Sequence, residues 1–248
     1  MESNVGVVKK SACVQFSGGS DSTLTAYKVS HEFSKVHLLT FRHFGHISIE
    51  NSRRSFGILN DKYPGKFVHN IIDIDKLFET IYYRRYLANL VRYRSLLLQF
   101  TCFACQASFQ VSTIRYCLDN NIFDVRDGAN TEYEDASPMQ MKSVKKEIKK
   151  FYNSFGINHD SPVYDEHETE RSDKQLFMLG LRETPNVKDD PALYKKFQGY
   201  CSFMPGSTLF LRYRRQTPKF PSDVQQLTLE HWLNNEKFLR ELIKMKVG

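Results

Sequence analysis

The chain has 248 residues, a formal charge of +7 from 35 basic and 28 acidic residues, and 41% hydrophobic and 13% aromatic residues. This balance excludes a disordered chain, a collagen-like repeat and a fibrous coiled coil, and it suits one large domain or a domain with an appendage. With no run of about 18 apolar residues and no basic-then-apolar leader, neither a membrane span nor a secretory signal is expected, and a cytoplasmic protein is.

Short apolar, β-branched runs alternate with segments of helical period, the pattern of an α/β protein built on a parallel sheet. Residues 11–16 read as a strand, 22–33 as a helix and 36–41 as a second strand. A helix over 48–60 leads to a third strand over 66–72, and the spacing of Tyr83, Tyr86, Leu87, Leu90, Val91, Leu97 and Leu98 predicts a long helix over 77–98. A helix over 104–119 then precedes a short strand over 122–125, a helix over 142–152 and an extended piece over 161–164. Beyond residue 165 the prolines Pro185, Pro191, Pro205, Pro218 and Pro221 break the chain into short pieces before a last amphipathic helix over 227–245. The division expected is a nucleotide-binding domain over 1–165 and a smaller, mostly helical region over 166–248.

Between the first strand and the first helix stands Ser17-Gly18-Gly19-Ser20-Asp21-Ser22. Two glycines let the backbone turn sharply and bring N–H groups to an anion, and the following helix adds unpaired donors and the positive end of its dipole. Ser17, Ser20 and Ser22 can add hydroxyl donors. The loop has no lysine of the Gly-x-x-x-x-Gly-Lys-Ser/Thr kind, so it lacks the group that reaches terminal phosphates. Asp21 beside a phosphate makes sense with a cation such as Mg²⁺ between them, or as a cap of the helix.

The loop resembles the Ser-Gly-Gly-x-Asp-Ser signature of the PP-loop ATP pyrophosphatases, a superfamily that includes GMP synthetase, NAD synthetase, tRNA thiolation enzymes and 7-cyano-7-deazaguanine synthase. The resemblance implies a Rossmann-like sheet, Mg-ATP as cosubstrate, cleavage between the α- and β-phosphates, and activation of a substrate oxygen as an adenylate. Ser17, Gly18, Gly19, Ser20, Asp21 and Ser22 would hold the pyrophosphate and its metal ion. Asp127-Gly128-Ala129-Asn130, after the fourth strand, is similar to a segment of deazaguanine synthases and of the sulfur transferases of nickel-pincer cofactor assembly. By that likeness Gly128 would let the nucleotide approach and Asn130 would bond ribose or phosphate. The aspartate that follows in the family is replaced here by Thr131-Glu132-Tyr133-Glu134-Asp135.

Of five cysteines, Cys102 and Cys105 stand two residues apart, a spacing at which both sulfurs can converge on one metal ion or cluster at a chain turn or helix start. Cys117 would lie about 18 Å along the helix from Cys105. Cys13 falls inside the first strand, as a small core residue does. Cys201 remains as the distal thiol that can complete the set. A Cys-x-x-Cys pair with one remote cysteine resembles the three-thiolate iron–sulfur sites of several PP-loop thiolation enzymes. Zinc, a pair carrying persulfide sulfur, and two structural thiols stay open as alternatives. His43, His46, His159 and His167 lack metal-ligand spacing and receive no role.

Two basic segments bear on partners. Arg84, Arg85 and Arg92 sit among tyrosines on one helix and can clamp RNA phosphates while the rings stack on bases, or remain a solvated face. Lys142, Lys145, Lys146, Lys149 and Lys150 form a second basic face. The reading that joins these signals is an ATP-dependent adenylating enzyme with Asp21 and the three cysteines in its chemistry, passing sulfur to a tRNA base or a small molecule, with a sulfur-donor protein as a further partner. Rival readings are an ammonia-using ligase of the deazaguanine-synthase kind and a non-catalytic ATP-sensing subunit.

Overall fold

The computed structural model describes residues 10–93, 98–131, 138–165, 169–185, 200–203 and 222–245. Five strands, β1 (Ser11–Gln15), β2 (Lys35–Arg42), β4 (Phe67–Asp73), β5 (Asp124–Arg126) and β6 (Asn158–Asp160), form one sheet in the order β4-β2-β1-β5-β6. All four pairings are parallel, with Cys13 opposite His37 on one side of β1 and opposite Val125 on the other. A separate two-residue antiparallel pair joins β3 (His46–Ile47) to β7 (Tyr200–Cys201). The α/β, Rossmann-like expectation is met, and the strand order reverses direction between β1 and β5.

Alternation along the strands explains why helices cover both faces. Ala12 and Val14 of β1, with Val36 and Leu38 of β2, pack against α1 (Ser20–Glu32), α2 (Ser52–Lys62) and α6 (Thr169–Met178) through Leu24, Ala26, Val29, Leu59 and Leu176. Cys13, Leu39, Phe41 and Val125 face the other way. They meet α3 (Asp75–Tyr93), α4 (Leu98–Asp119), α5 (Lys142–Asn153) and α7 (Ser222–Lys244) through Phe78, Phe103, Val111, Ile114, Val144, Phe151 and Trp232. Among the described residues no helix is long and apolar enough to cross a membrane.

Several expected boundaries move. The fourth helix begins at Leu98 instead of 104, so Cys102 and Cys105 lie inside α4 and not at its start; the apolar face of Phe103, Ala104, Ala107, Val111 and Ile114 is continuous and gives the helix no reason to begin later. The extended piece expected over 161–164 is a turn in which Tyr164 N–H bonds Ser161 O, and the fifth strand of the sheet is Asn158–Asp160. The stretch after 165 holds a helix, α6, before its first proline, and α7 starts at Ser222. Pro191, Pro205, Pro218 and Pro221 lie outside the described residues.

α7 brings His231 into the core, where its ring stacks on Phe103 with centroids 3.9 Å apart. The residue is 3% exposed, and burial pushes its pKa down to about 3. The unfolded chain takes up this proton near pH 6.5 and the folded chain does not, so stability is full above about 6.5 and falls as pH drops toward 3. His231→Phe keeps the stack and removes the proton. Urea unfolding between pH 6 and pH 4 is expected to show a slope shallower by about 1.4 kcal/mol per pH unit than the parent protein; an unchanged slope would mean that His231 is charged in the fold.

Candidate functional site

β1 delivers the chain to a loop whose geometry is set from below. Gly18 has φ +83°, a left-handed conformation open to glycine. Its carbonyl is turned inward, accepting from Ser55 Oγ at 2.6 Å and from the Arg182 guanidinium at 3.0 Å. Arg182 is buried, and burial lowers its pKa to about 10, so it carries its charge at neutral pH directly beneath the loop. Gly19 is the N-cap of α1 and offers no side-chain cap, which leaves the first-turn N–H groups without a capping side chain. Ser17 is exposed, with its Oγ within 3.1 Å of Ser22 Oγ and accepting from Gly19 N–H at 3.3 Å.

Asp21 stands in the first turn of α1, whose N-cap is Gly19. Its Oδ1 accepts from Ser172 Oγ of α6 at 2.7 Å and from the Asn130 amide at 3.5 Å. On the same helix Asp173 accepts the hydroxyl of Ser20. α6 therefore orients both the carboxylate and one hydroxyl of the loop, and Asn130 ties the loop after β5 to the same carboxylate.

The second loop hangs on Asp127, which accepts from Lys145, from His159 Nε2 at 3.0 Å, from Ser161 Oγ at 2.6 Å and from Ala129 N–H at 3.1 Å. Burial by itself would raise this carboxyl, but the Lys145 charge and the hydrogen bond from His159 hold it well below the ordinary carboxylate range. Burial, with the Lys145 charge beside it, keeps His159 neutral, so Asp127 and Lys145 are the ion pair and His159 a neutral donor. The result is a close docking of the two loops. A Cβ on Gly128 would stand 2.7 Å from the backbone nitrogen of Ser22 and 2.9 Å from the carbonyl carbon of Asp21.

A third group forms where β2 ends. His43, His46 and Cys105 bring one ligand atom each to within 4.8 Å of one another, and Cys105 Sγ lies 3.6 Å from His46 Nε2. His43 stacks on Phe78 with centroids 4.7 Å apart, and its ring lies tilted against that of His46 at 3.8 Å. The β3–β7 pair sets Cys201 opposite His46. Burial pushes the Cys105 thiol well up, and the Cys201 and Cys102 thiols push it further; among the described residues neither of those two sulfurs joins a three-donor group within 4.8 Å. Burial lowers both histidines, His43 to about 4. His43 and His46, assigned nothing from spacing, thus adjoin Cys105 because the fold and not the sequence makes them neighbours; His159, equally unassigned, is a partner of Asp127. Cys13 and Cys117 are fully buried elsewhere in the core.

No protein-family model matches the sequence, and no curated protein matches it significantly. Solved structures do match. A 4-thiouridine synthetase, solved as an RNA complex with bound ATP, aligns over 94% of this chain with 14% identity and a TM-score of 0.56. The two share a fold. The chain spans about half of that synthetase, 53% of its length. A U34-tRNA thiolase from Methanococcus maripaludis, solved with its [4Fe-4S] cluster, aligns over 92% of this chain and 72% of its own at 14% identity and a TM-score of 0.46.

In this fold ligands lie beyond the carboxyl ends of the strands, at the point where strand order reverses. Ser17–Ser22 follows β1 and the Asp127–Asn130 loop follows β5, the two strands flanking that point, so both sequence-selected segments meet there. Of the residues that hold them, Ser55, Ser172, Asp173 and Arg182 carry no motif and escaped sequence reading, while Lys145 and His159 were named without this role, because each partner is distant in the chain. Lys145 in particular turns inward from the expected basic face, where Lys142, Lys146, Lys149 and Lys150 are exposed. Arg84 is exposed, whereas the side chains of Arg85 and Arg92, the segment 132–137 and His167 lie outside the described residues.

Asp127→Asn is expected to destabilise the protein by about 3–5 kcal/mol in chemical denaturation, because it leaves the Lys145 charge buried and unpaired. In the double variant with Lys145→Met much of that loss should return; strictly additive losses would show that the pair is not coupled.

Proposed function

We propose that the chain is an ATP pyrophosphatase of the PP-loop kind that transfers AMP to a substrate oxygen and then replaces that oxygen with sulfur, on a tRNA base or a small molecule. The observation that carries the proposal is the anion-ready loop at the strand-order reversal, with the Asp21 carboxylate oriented by Ser172 and Asn130 and a buried Arg182 charge beneath. The fold shared with an ATP-bound 4-thiouridine synthetase supports it.

In this reading the loop N–H groups and the hydroxyls of Ser17, Ser20 and Ser22 bind the departing pyrophosphate, and Asp173 orients the Ser20 hydroxyl. The Asp21 carboxylate is a hard oxygen donor suited to Mg²⁺, which when bound neutralises phosphate charge. The substrate oxygen attacks the α-phosphorus, the Pα–O–Pβ link breaks and pyrophosphate leaves. A sulfur nucleophile then adds to the activated carbon, the C–O bond breaks, and AMP departs with the substrate oxygen. Gly128 allows the Asn130 loop to sit against α1, so that Asn130 serves this site from the second loop. Cys102, Cys105 and Cys201, at the same edge of the sheet, supply the sulfur chemistry or hold its metal centre, an iron–sulfur cluster or Zn²⁺, with a donor protein as the source of sulfur. The exposed Arg84, with Arg85 and Arg92, is the surface for tRNA phosphates.

Product analysis with substrate present is expected to show AMP and pyrophosphate; ADP and phosphate alone would overturn the proposal. Asp21→Asn is expected to lower turnover at least about tenfold while nucleotide affinity changes less, since a metal-bound carboxylate acts most on charge that develops during reaction. Cysteine variants that keep full activity would favour ammonia as the nucleophile.

Charge reversal at Arg84, Arg85 and Arg92 is expected to weaken tRNA binding and flatten its salt dependence by about 0.9 or less in log–log slope for each phosphate no longer neutralised. An activity indifferent to tRNA and to these changes would assign a small-molecule substrate.

A further inference from the structure

We infer that His46 is a metal ligand, sharing one tetrahedral divalent ion of the zinc type with Cys105. The inference rests on the proposed cysteine centre for the other two donors, Cys102 and Cys201, and is independent of the adenylation chemistry.

The two ring nitrogens of His46 are already distinguished. Nδ1 lies 3.2 Å from the carbonyl of Phe41, which can only accept, so Nδ1 carries the proton and Nε2 presents its lone pair. A ligating histidine is usually fixed in this way, donating its other N–H to a backbone carbonyl. Nε2 faces Cys105 Sγ at 3.6 Å. One ion with a metal–sulfur bond of about 2.3 Å and a metal–nitrogen bond of about 2.05 Å at a tetrahedral angle separates its donors by about 3.6 Å. The observed separation is therefore the length of one edge of such a site.

His43 has the opposite tautomer. Its Nδ1 accepts from Gly45 N–H at 2.9 Å, which puts the proton on Nε2, and that buried nitrogen has no hydrogen-bond partner among the described residues. A protonated nitrogen cannot ligate; it can donate to a metal-bound thiolate. His43 is accordingly assigned as a donor to sulfur in the same site.

The remaining positions fall to Cys102 and Cys201, whose sulfurs lie outside the 4.8 Å group of His43, His46 and Cys105 and turn in when the ion binds. Cys102 stands one turn before Cys105 on α4, at the i, i+3 spacing that shares a helix face. Cys201 is the ladder partner of His46, with Cβ atoms of such pairs about 4.5–5.5 Å apart. Four protein donors leave the ion no open position, so it pins β3 and β7 against α4, and sulfur for the proposed reaction has to come from a separate donor.

The test is an anaerobic titration of the reduced, metal-free full-length chain with Co²⁺ alone, followed by displacement with Zn²⁺. One equivalent should bind, with thiolate-to-cobalt charge transfer and the visible bands of a tetrahedral ion, and Zn²⁺ should raise the unfolding temperature. His46→Ala should weaken binding at least about tenfold. His46→Cys should restore it with stronger charge transfer, while His43→Ala keeps one equivalent with nitrogen ligation. X-ray absorption of the Zn²⁺-loaded parent protein should show imidazole scattering beside sulfur, and it decides the matter if His46→Ala fails to fold. Sulfur-only coordination would overturn the inference and leave the cysteine centre standing. So would an iron–sulfur cluster that assembles equally well in His46→Ala. Failure of the parent protein to bind Co²⁺ would overturn the metal centre as a whole, whereas ATP cleavage to AMP is read separately.

Discussion

The buried guanidinium of Arg182 is the interaction on which the geometry of the Ser17–Ser22 loop depends. By holding the Gly18 carbonyl inward together with Ser55 Oγ, it commits the loop to the left-handed turn at Gly18 and leaves the helix start of α1 facing outward. A charged group 5% exposed is costly to desolvate, and here its donors meet the Gly18 carbonyl and the hydroxyls of Ser55 and Thr23. Its charge favours an anion on the loop above it. The element bearing Arg182 also follows α6, so the same segment that supports the loop from below supplies Ser172 and Asp173 at its side.

The loop after β5 meets this scaffold through a second buried charge. Asp127 accepts four hydrogen bonds, from an ammonium, an imidazole, a hydroxyl and a backbone amide, which is the condition under which a buried carboxylate is tolerated. Its rigidity matters because Gly128 must pass close against the α1 backbone. Opposite charges buried on the two sides of the strand-order reversal thus position two loops that would otherwise be free to part. The histidine–cysteine group at the end of β2 stands at the same edge, where the short β3–β7 pair folds a segment 155 residues later in the chain back onto the sheet, His46 to Cys201.

How much of this was legible beforehand follows from the range over which each signal acts. The strand–loop–helix unit around Ser17–Ser22, the alternation of strands and helices, and the basic run of α5 are local, and local periodicity and turn chemistry reported them with boundary shifts of a few residues. The start of α4 was misplaced because Cys-x-x-Cys was given the helix start that such pairs often occupy, while the apolar stripe of the helix continued through it. α6 was hidden by reading a proline-rich region as uniformly broken.

By itself the sequence determined the sheet-based fold class, the strand–loop–helix unit with its glycines and Asp21, and the Cys102–Cys105 pair, since each depends on residues adjacent in the chain or on a repeating period. Only the tertiary structure decided that Lys145 points inward to Asp127, that Ser172 partners Asp21, that Arg182 lies under Gly18, and that His43 and His46 adjoin Cys105. The physical reason is common to all four. Each is a hydrogen bond or close approach between residues that sequence separation leaves unrelated until parallel strands bring their carboxyl ends to one edge.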